Sequence, residues 1–360
     1  MNNISVVIPA YQAEDTICRS VKSAFNIGSS LFEVIVVDDG STDETCKIVE
    51  KLAVSSSKIK LIRQNNMGRS AARNTGFKAA LADWVMFLDA DDFLFPGDYE
   101  KLVGFADDKE LGLLVCKYLK SGEEAFEIHD TNDALSNVVI MESAKLKRIM
   151  VGDHCRCDVP EFSGYELNAA WARLYRREVI AEAANCLGAS LAPFPLGLRF
   201  SEDRLFNLEY LWMLENEHVG FVPFYAYCWD IGNSSTCSRV RPRDVDSLSL
   251  FASVTRELEK RSVFSSRDRD LVLSREFIEQ FKRAAQMSRD NPEISAAWIE
   301  EFDSAWLKEN LKEFPSDCLG VNGQWGIIAK ILAGGHLGFA FNAYTAISMI
   351  KAQVKRAITK

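Results

Sequence analysis

Asp89-Ala90-Asp91-Asp92 closes the apolar run Trp84-Val85-Met86-Phe87-Leu88. While the backbone stays extended, residues two apart point the same way, so the carboxylates of Asp89 and Asp91 would stand together where a strand meets its loop. Hard oxygen donors of this kind suit Mg²⁺ or Mn²⁺, which complete their shells with water and substrate phosphates. The spacing therefore points to a phosphate-bearing substrate, although an isolated D-x-D also fits an acidic turn with solvated charges. A second acidic pair, Glu202-Asp203, opens a stretch with helical periodicity through Leu205, Leu208, Leu211 and Trp212. A carboxylate there can be a general base or a favourable charge on the helix dipole. A third polar cluster, Asp38-Asp39-Gly40-Ser41-Thr42-Asp43, follows the β-branched run Val34–Val37 and reads as a ligand site or as a turn with a helix cap.

The elements that must position these residues alternate. Ile4–Ile8, Val34–Val37, Ile59–Ile62 and Trp84–Leu88 read as strands, and Ala13–Phe25, Asp43–Leu52 and Ser70–Leu81 as the helices between them. This is the pattern of parallel βαβ units. Ligands in open α/β sheets sit at the carboxyl ends of the strands, which would bring Tyr11, Asp38, Asp39, Asp89 and Asp91 to one crevice. Past residue 110 the alternation fades. Val138–Met150, Glu178–Leu187 and Phe200–Glu215 read as helices, Gly220–Trp229 as an aromatic strand, and the chain from Asp244 as almost wholly helical. The expected organisation is an α/β domain over 1–240, its halves 1–110 and 111–240, then a helical region over 241–360, with the boundary near Arg241-Pro242-Arg243.

With 360 residues and 48% hydrophobic content the chain can build one large or two ordinary cores. Its net charge of -9 excludes the broad basic footprint of a nucleic-acid binder. Nine cysteines, odd in number and set in apolar segments such as Leu113–Cys116, suggest free thiols in a reducing compartment. The N-terminus lacks the basic and apolar regions of a signal peptide, so the expected location is the cytoplasm. Ile331–Ile350 carries no formal charge and precedes Lys351, Lys355, Arg356 and Lys360. It reads as a buried helix or helical pair, a peripheral attachment to the inner leaflet, or a membrane span. His154-Cys155-Arg156-Cys157 lacks the paired spacing of a closed zinc site, and neither a P-loop nor a strand-linked G-x-G-x-x-G occurs.

Four ordered blocks resemble family-2 glycosyltransferases, the inverting, nucleotide-sugar-dependent enzymes of the GT-A fold: Ser5–Tyr11, Val34–Asp43, Asn66–Asn74 and Phe87–Asp92. Trp171–Arg177, Ser201–Phe206 and Asn233–Thr236 resemble further blocks of that family. The resemblance covers roughly residues 1–240 and leaves the helical remainder uncovered. It implies a base pocket of Pro9, Tyr11 and Asp39, with Tyr11 offering a flat face and Asp39 an acceptor for a uracil imide. It further implies that Glu14, Asn66 and Arg73 complete the nucleotide site and that Asp89 reaches the ribose or, through water, the metal. Asp91 would ligate Mg²⁺ or Mn²⁺ directly, Asp203 would act as general base, and Glu202 would orient it or touch the acceptor. Arg69, on the same helix as Arg73, reads either as part of the site or as a solvated charge.

The resulting expectation is a metal-dependent inverting transfer of sugar from a UDP-sugar to a hydroxyl of a glycan acceptor, free or lipid-linked, in bacterial surface polysaccharide synthesis. Two alternatives stand beside it. A sugar-phosphate nucleotidyltransferase would want a glycine-rich basic loop after the first strand, and Tyr11-Gln12-Ala13-Glu14-Asp15 is neither. A catalytically silent scaffold that binds glycan or partner would have no need of Asp89, Asp91 and Asp203 together.

Overall fold

The β-branched runs of the first third form parallel strands β1 (Ile4–Ala10), β2 (Leu31–Asp38), β3 (Ile59–Arg63) and β4 (Trp84–Phe87). They continue into β5 (Phe93–Leu94), β6 (Leu111–Lys120), β7 (Val139–Glu142), β8 (Arg173–Arg176) and β9 (His218–Trp229). The computed structural model describes residues 3–123, 130–152, 162, 164–186, 193–214, 217–231, 244–288, 291–310, 331–332 and 334–344. Among these the nine strands make one mixed sheet in the order β3-β2-β1-β4-β8-β6-β9-β5, with β7 also on β9. The reversed strand β8 lies antiparallel to both β4 and β6, and β9 returns parallel to β6. The carboxyl ends of β1, β2, β3, β4, β6 and β9 therefore share one edge with the start of β8.

Two compact units divide the chain: Met1–Lys147 with Val159–Gly197 and Ser201–Asn233, and Arg148–Asp158 with Leu198–Phe200 and Ser234–Lys360. The first holds the sheet and the helices α1 (Ile17–Ala24), α2 (Thr45–Ser55), α3 (Arg69–Ala79), α4 (Tyr99–Asp108), α5 (Thr131–Ser136), most of α6 (Ser143–Val151), α7 (Arg177–Cys186) and α8 (Glu202–Met213). One face of the sheet buries Ile4, Val6, Ile8, Val34, Val36 and Trp84 in its main core. On the other face Phe87 meets Tyr175, Phe194 and Phe206 edge-on. Pro9 lies beyond the last β1–β4 pair, Val7 with Phe87, so its missing amide falls outside that ladder.

The expected helix over Val138–Met150 is instead a strand followed by a helix. Val139, Ile140 and Met141 pair antiparallel with Phe221, Gly220 and Val219, and the helical turn begins only at Ser143. A short apolar run fits either period, and here the exposed edge of β9 decides it. Strands β6 and β8 stand where no strand was assigned.

In the second unit α9 (Val245–Lys260), α10 (Ser266–Met287), α11 (Pro292–Glu301) and α12 (Ser304–Asn310) confirm the helical reading. A reciprocal capping box of Ser265 and Asp268 starts α10. Phe277, Phe281, Trp298, Phe302 and Phe341 fill the core of this unit. Within Ile331–Ile350 a turn at Gly335, with φ of 80°, interrupts the apolar stretch before residues 337–344, whose Leu337, Ala340 and Phe341 are buried. Among the described residues no helix is long and apolar enough to cross a membrane. The expected boundary at Arg241–Arg243 and the segment His154–Cys157 lie outside the described residues. Cys18, Cys46, Cys116 and Cys228 are unpaired thiols.

Helix α3 carries Arg69 and Arg73, and Gly76 sets how closely it approaches the sheet. A Cβ there would lie 2.4 Å from Val7 Cγ1 and 3.2 Å from Val37 Cγ2. Gly76→Ala is expected to destabilise the protein by about 1–3 kcal/mol through overpacking, read as a lower urea midpoint at unchanged slope.

Candidate active site at the carboxyl edge of the sheet

Two loops are laced together above β1 and β2. Gln12 N–H donates to Ser41 Oγ (2.9 Å), Gln12 Oε1 accepts from Thr42 N (2.7 Å), and Ala13 N–H donates to Thr45 Oγ1 (2.9 Å). Glu14 joins the lacing: its amide donates to Asp43 Oδ2 (3.1 Å) and its carboxylate accepts from Glu44 N (2.9 Å). The side chains of Ser41 and Thr42 are thus spent across loops, while Asp43 also receives Thr45 N at 3.0 Å at the start of α2. Asp38 accepts the Ser41 amide at 3.2 Å and closes the turn. Tyr11, 54% exposed, is left with its ring at the surface of this framework.

Asp39 is buried and organises the next loop. Its Oδ1 accepts from Gln64 Nε2 (2.7 Å) and Met67 N (3.0 Å), and its Oδ2 from Gly68 N (2.8 Å). One acceptor direction on Oδ2 remains for a ligand donor. Gly40, at φ of 80°, lets the loops close up: a Cβ on it would sit 3.0 Å from Asn66 N. Asn66 itself is exposed beside Asp39, and Pro9 lies buried in β1 below Tyr11.

The chemistry concentrates around Arg73. Its guanidinium, 1% exposed, binds Asp89 Oδ1 at 2.8 Å, Asp203 Oδ1 at 2.6 Å and Glu202 Oε1 at 3.3 Å. Arg69 forks onto both oxygens of Glu202. Arg73 thus meets three carboxylates here, where the sequence expectation is a charge near ribose or phosphate. Of the two readings of Arg69, the solvated one falls. Glu202 is fully buried between the two cations. Its carboxylate anchors Arg69 and Arg73.

Asp203 keeps a partial opening, with 18% of its side chain exposed. Its second oxygen receives only the Ala170 amide, at 3.3 Å. Ser201 is the N-cap residue of α8, in the left-handed region at φ of 59°, and no side chain caps this helix. The Asp203 carboxylate points to Arg73 instead. Burial lifts its pKa to about 6; Arg73 and Arg69 pull it down, while Glu202 and Asp89 push it up. The carboxylate is thus mostly ionised at neutral pH.

At the end of β4 the three aspartates have separate surroundings. Asp92 is buried, accepts the Tyr227 hydroxyl (2.5 Å) and the Asp230 amide (2.8 Å), and is pushed up to about 8 by burial and then by Asp89. The same Tyr227 hydroxyl accepts from Asp89 N at 3.2 Å, so one phenol pins both ends of the motif. Ser20 on α1 donates to the carbonyls of Ala90 (2.7 Å) and Asp92 (2.6 Å). Asp91 projects outward. Desolvation by the surrounding chain and the neighbouring Asp89 charge hold its carboxyl above the usual range. Among the described residues no cluster of three or more His, Cys, Asp or Glu forms a metal cage. Two crowded carboxylates fit a hard cation whose other ligands are water and phosphate. Of the sequence candidates the structure joins Asp89 and Asp203 through Arg73, while Tyr227, Gln64 and Ser20 were not singled out, their signal being membership of elements at this edge. Asn233–Thr236 lies outside the described residues.

Comparison with known proteins accounts for this arrangement. Residues 5–181 match the family model Glycosyl transferase family 2. The uncharacterized glycosyltransferase EpsJ of Bacillus subtilis is 30% identical over 57% of this chain and 55% of its own length. The putative glycosyltransferase EpsH of the same organism is 27% identical over 62% and 60%. The chain thus spans little more than half of these relatives. A crystal structure of S. aureus TarS residues 1-349 in complex with UDP-GlcNAc superposes with a TM-score of 0.64 at 18% identity, covering 96% of this chain and 92% of that one. The fold is GT-A with a mostly helical C-terminal region, and residues 5–181 of the chain belong to glycosyl transferase family 2.

Proposed function

We propose that this glycosyltransferase takes its sugar from a UDP-sugar and passes it, with inversion, to a hydroxyl of a glycan acceptor in surface polysaccharide assembly. The observation that carries the reading is the buried, partly open Asp203, joined through Arg73 to Asp89 at the end of β4. Tyr11 and the remaining acceptor direction of Asp39 suit a flat base with an imide N–H. The carboxylates of Asp91 and Asp89 would hold Mg²⁺ or Mn²⁺, which supplies charge neutralisation for a departing diphosphate. The presence of UDP-GlcNAc in the TarS crystal structure supports a nucleotide-sugar donor for this fold.

The step needs a base on the face opposite the leaving group. The acceptor oxygen bonds to the anomeric carbon as the bond from that carbon to the phosphate oxygen breaks, and UDP leaves with the electron pair. The hydroxyl proton goes to the Asp203 carboxylate. Arg73 holds that carboxylate in place, the charges of Arg73 and Arg69 keep it ionised despite burial, and Glu202 fixes the two arginines. Three carboxylates and two guanidiniums leave this cluster with one net negative charge, which a bound cation would offset.

Four outcomes are expected. UDP with Mn²⁺ together should raise Tm well above either alone, and Asp91→Ala should abolish that coupling; equal stabilisation of the variant would remove Asp91 from the metal site. Asp203→Asn should retain UDP binding and lose transfer, measured as sugar incorporated into acceptor; an active variant would exclude Asp203 as base. The acid limb of kcat/KM should rise with pH through about 6, because only the ionised carboxylate accepts a proton. Arg73→Gln removes the cation that favours ionisation and should move that limb to higher pH, with a stability loss of about 3–5 kcal/mol for the buried charges left unpaired. An unmoved limb would sever Arg73 from Asp203.

A further inference from the structure

Beyond the motif aspartates, the same sheet edge carries a run of aromatic rings that the mechanism above does not use. Trp171 stacks on Tyr227 with centroids 4.7 Å apart and planes 11° from parallel, and Tyr227 is the phenol that pins Asp89 and Asp92. Tyr118, near the end of β6, meets Trp171 edge-on at 4.9 Å, and Trp229, the last residue of β9, lies 6.3 Å from Trp171 and 6.5 Å from Tyr118. The Lys120 ammonium stands 5.7 Å from the Trp229 ring centre. Tyr118, Lys120 and Trp229 are each partly exposed, whereas Trp171 and Tyr227 are buried beneath them. The run also adjoins the base, because the Ala170 amide that reaches Asp203 precedes Trp171 in the chain.

We propose that Tyr118, Trp229 and Lys120 form a platform that receives the acceptor as a pyranoside, with the C–H face of the sugar ring against Trp229 and a ring hydroxyl accepting from the Lys120 ammonium. A closed pyranose offers one flat apolar face with hydroxyls around its rim, and aromatic rings match that shape by dispersion and C–H contact. An acyclic polyol has no such face. The rings are fixed before any ligand arrives, since Trp171 is clamped by Tyr227 and Trp229 lies in ladder register with Lys120. Pre-organisation of this kind lowers the ordering cost of binding. Naming the bound ring as the acceptor rests on the transfer reading above; that a pyranoside binds here rests on the platform alone.

The test is saturation-transfer NMR on the full chain with the methyl glycosides of glucose, galactose and N-acetylglucosamine, and with ribitol as the acyclic probe, both with and without UDP and Mn²⁺. At least one pyranoside should bind and ribitol should not. Trp229→Phe should keep binding, while Trp229→Leu should weaken it roughly three- to tenfold. Should the leucine variant unfold by circular dichroism, Lys120→Ala gives the same reading with a smaller loss. Absence of pyranoside binding under both conditions, ribitol binding as strongly, or a folded Trp229→Leu that binds like the parent overturns the platform. Pyranoside binding that depends on Trp229 in a protein that binds no UDP supports the platform while sinking the donor reading.

Discussion

Arg73 places a full positive charge where almost no water reaches it, and such a charge persists only when carboxylates replace the lost hydration. Three of them do so, from two distant parts of the chain: Asp89 at the end of β4, and Glu202 and Asp203 at the start of α8. Removing any one partner would leave the others over- or under-compensated in a low-dielectric interior. The end of β4 and the start of α8 are thereby fixed relative to each other by one planar group. A lysine would supply the charge without the fork that spans both sides.

That constraint propagates into the scaffold. To deliver Arg73 to this point, α3 must lie close on β1 and β2, which is why Gly76 sits against Val7 and Val37. Its neighbour Asn74 exchanges two hydrogen bonds with the Phe194 backbone, at 2.8 and 3.0 Å, and so holds the ring that stacks on Phe206 of α8. Helix α8 is therefore located twice, by apolar stacking and by the ion network. Arg73 also lies 5.3 Å from the centre of the Phe194 ring, which joins the two.

Much of the parallel half of the sheet was legible because its information is local. An apolar β-branched run followed by acidic residues marks both the strand and the polar edge at its end, and Asp39, Asp89 and Asp91 all stand at such an edge. The pairing of Arg69 with Glu202 was not legible. It joins residues 133 apart in sequence, and nothing in either neighbourhood distinguishes a buried fork from a solvated helix charge. The run Val138–Met150 was misread for a related reason: its strand exists only because β9 presents an open edge at Phe221–Val219, a fact external to the run itself. Asp92 shows the limit most plainly. Its type matches its two neighbours in the motif, yet it is buried under Tyr227 while Asp91 projects outward, and only the long-range contact with β9 separates their roles.

The separation of Asp92 from Asp91 also explains how one strand end can hold neighbouring carboxylates in different surroundings. Negative charges this close repel, and a flexible loop would relax by turning one of them away. Here the turn cannot relax. Ser20 holds the carbonyls of Ala90 and Asp92, the Tyr227 hydroxyl takes the Asp89 amide and gives its proton to Asp92, and the Asp230 amide closes the other side. The third aspartate serves as the anchor that keeps the first two in place, and its carboxyl, pushed up to about 8 by burial and by Asp89, carries little of the charge that would otherwise add to theirs. The repulsion between Asp89 and Asp91 is then left standing at the end of β4, with Arg73 beside Asp89 to offset part of it.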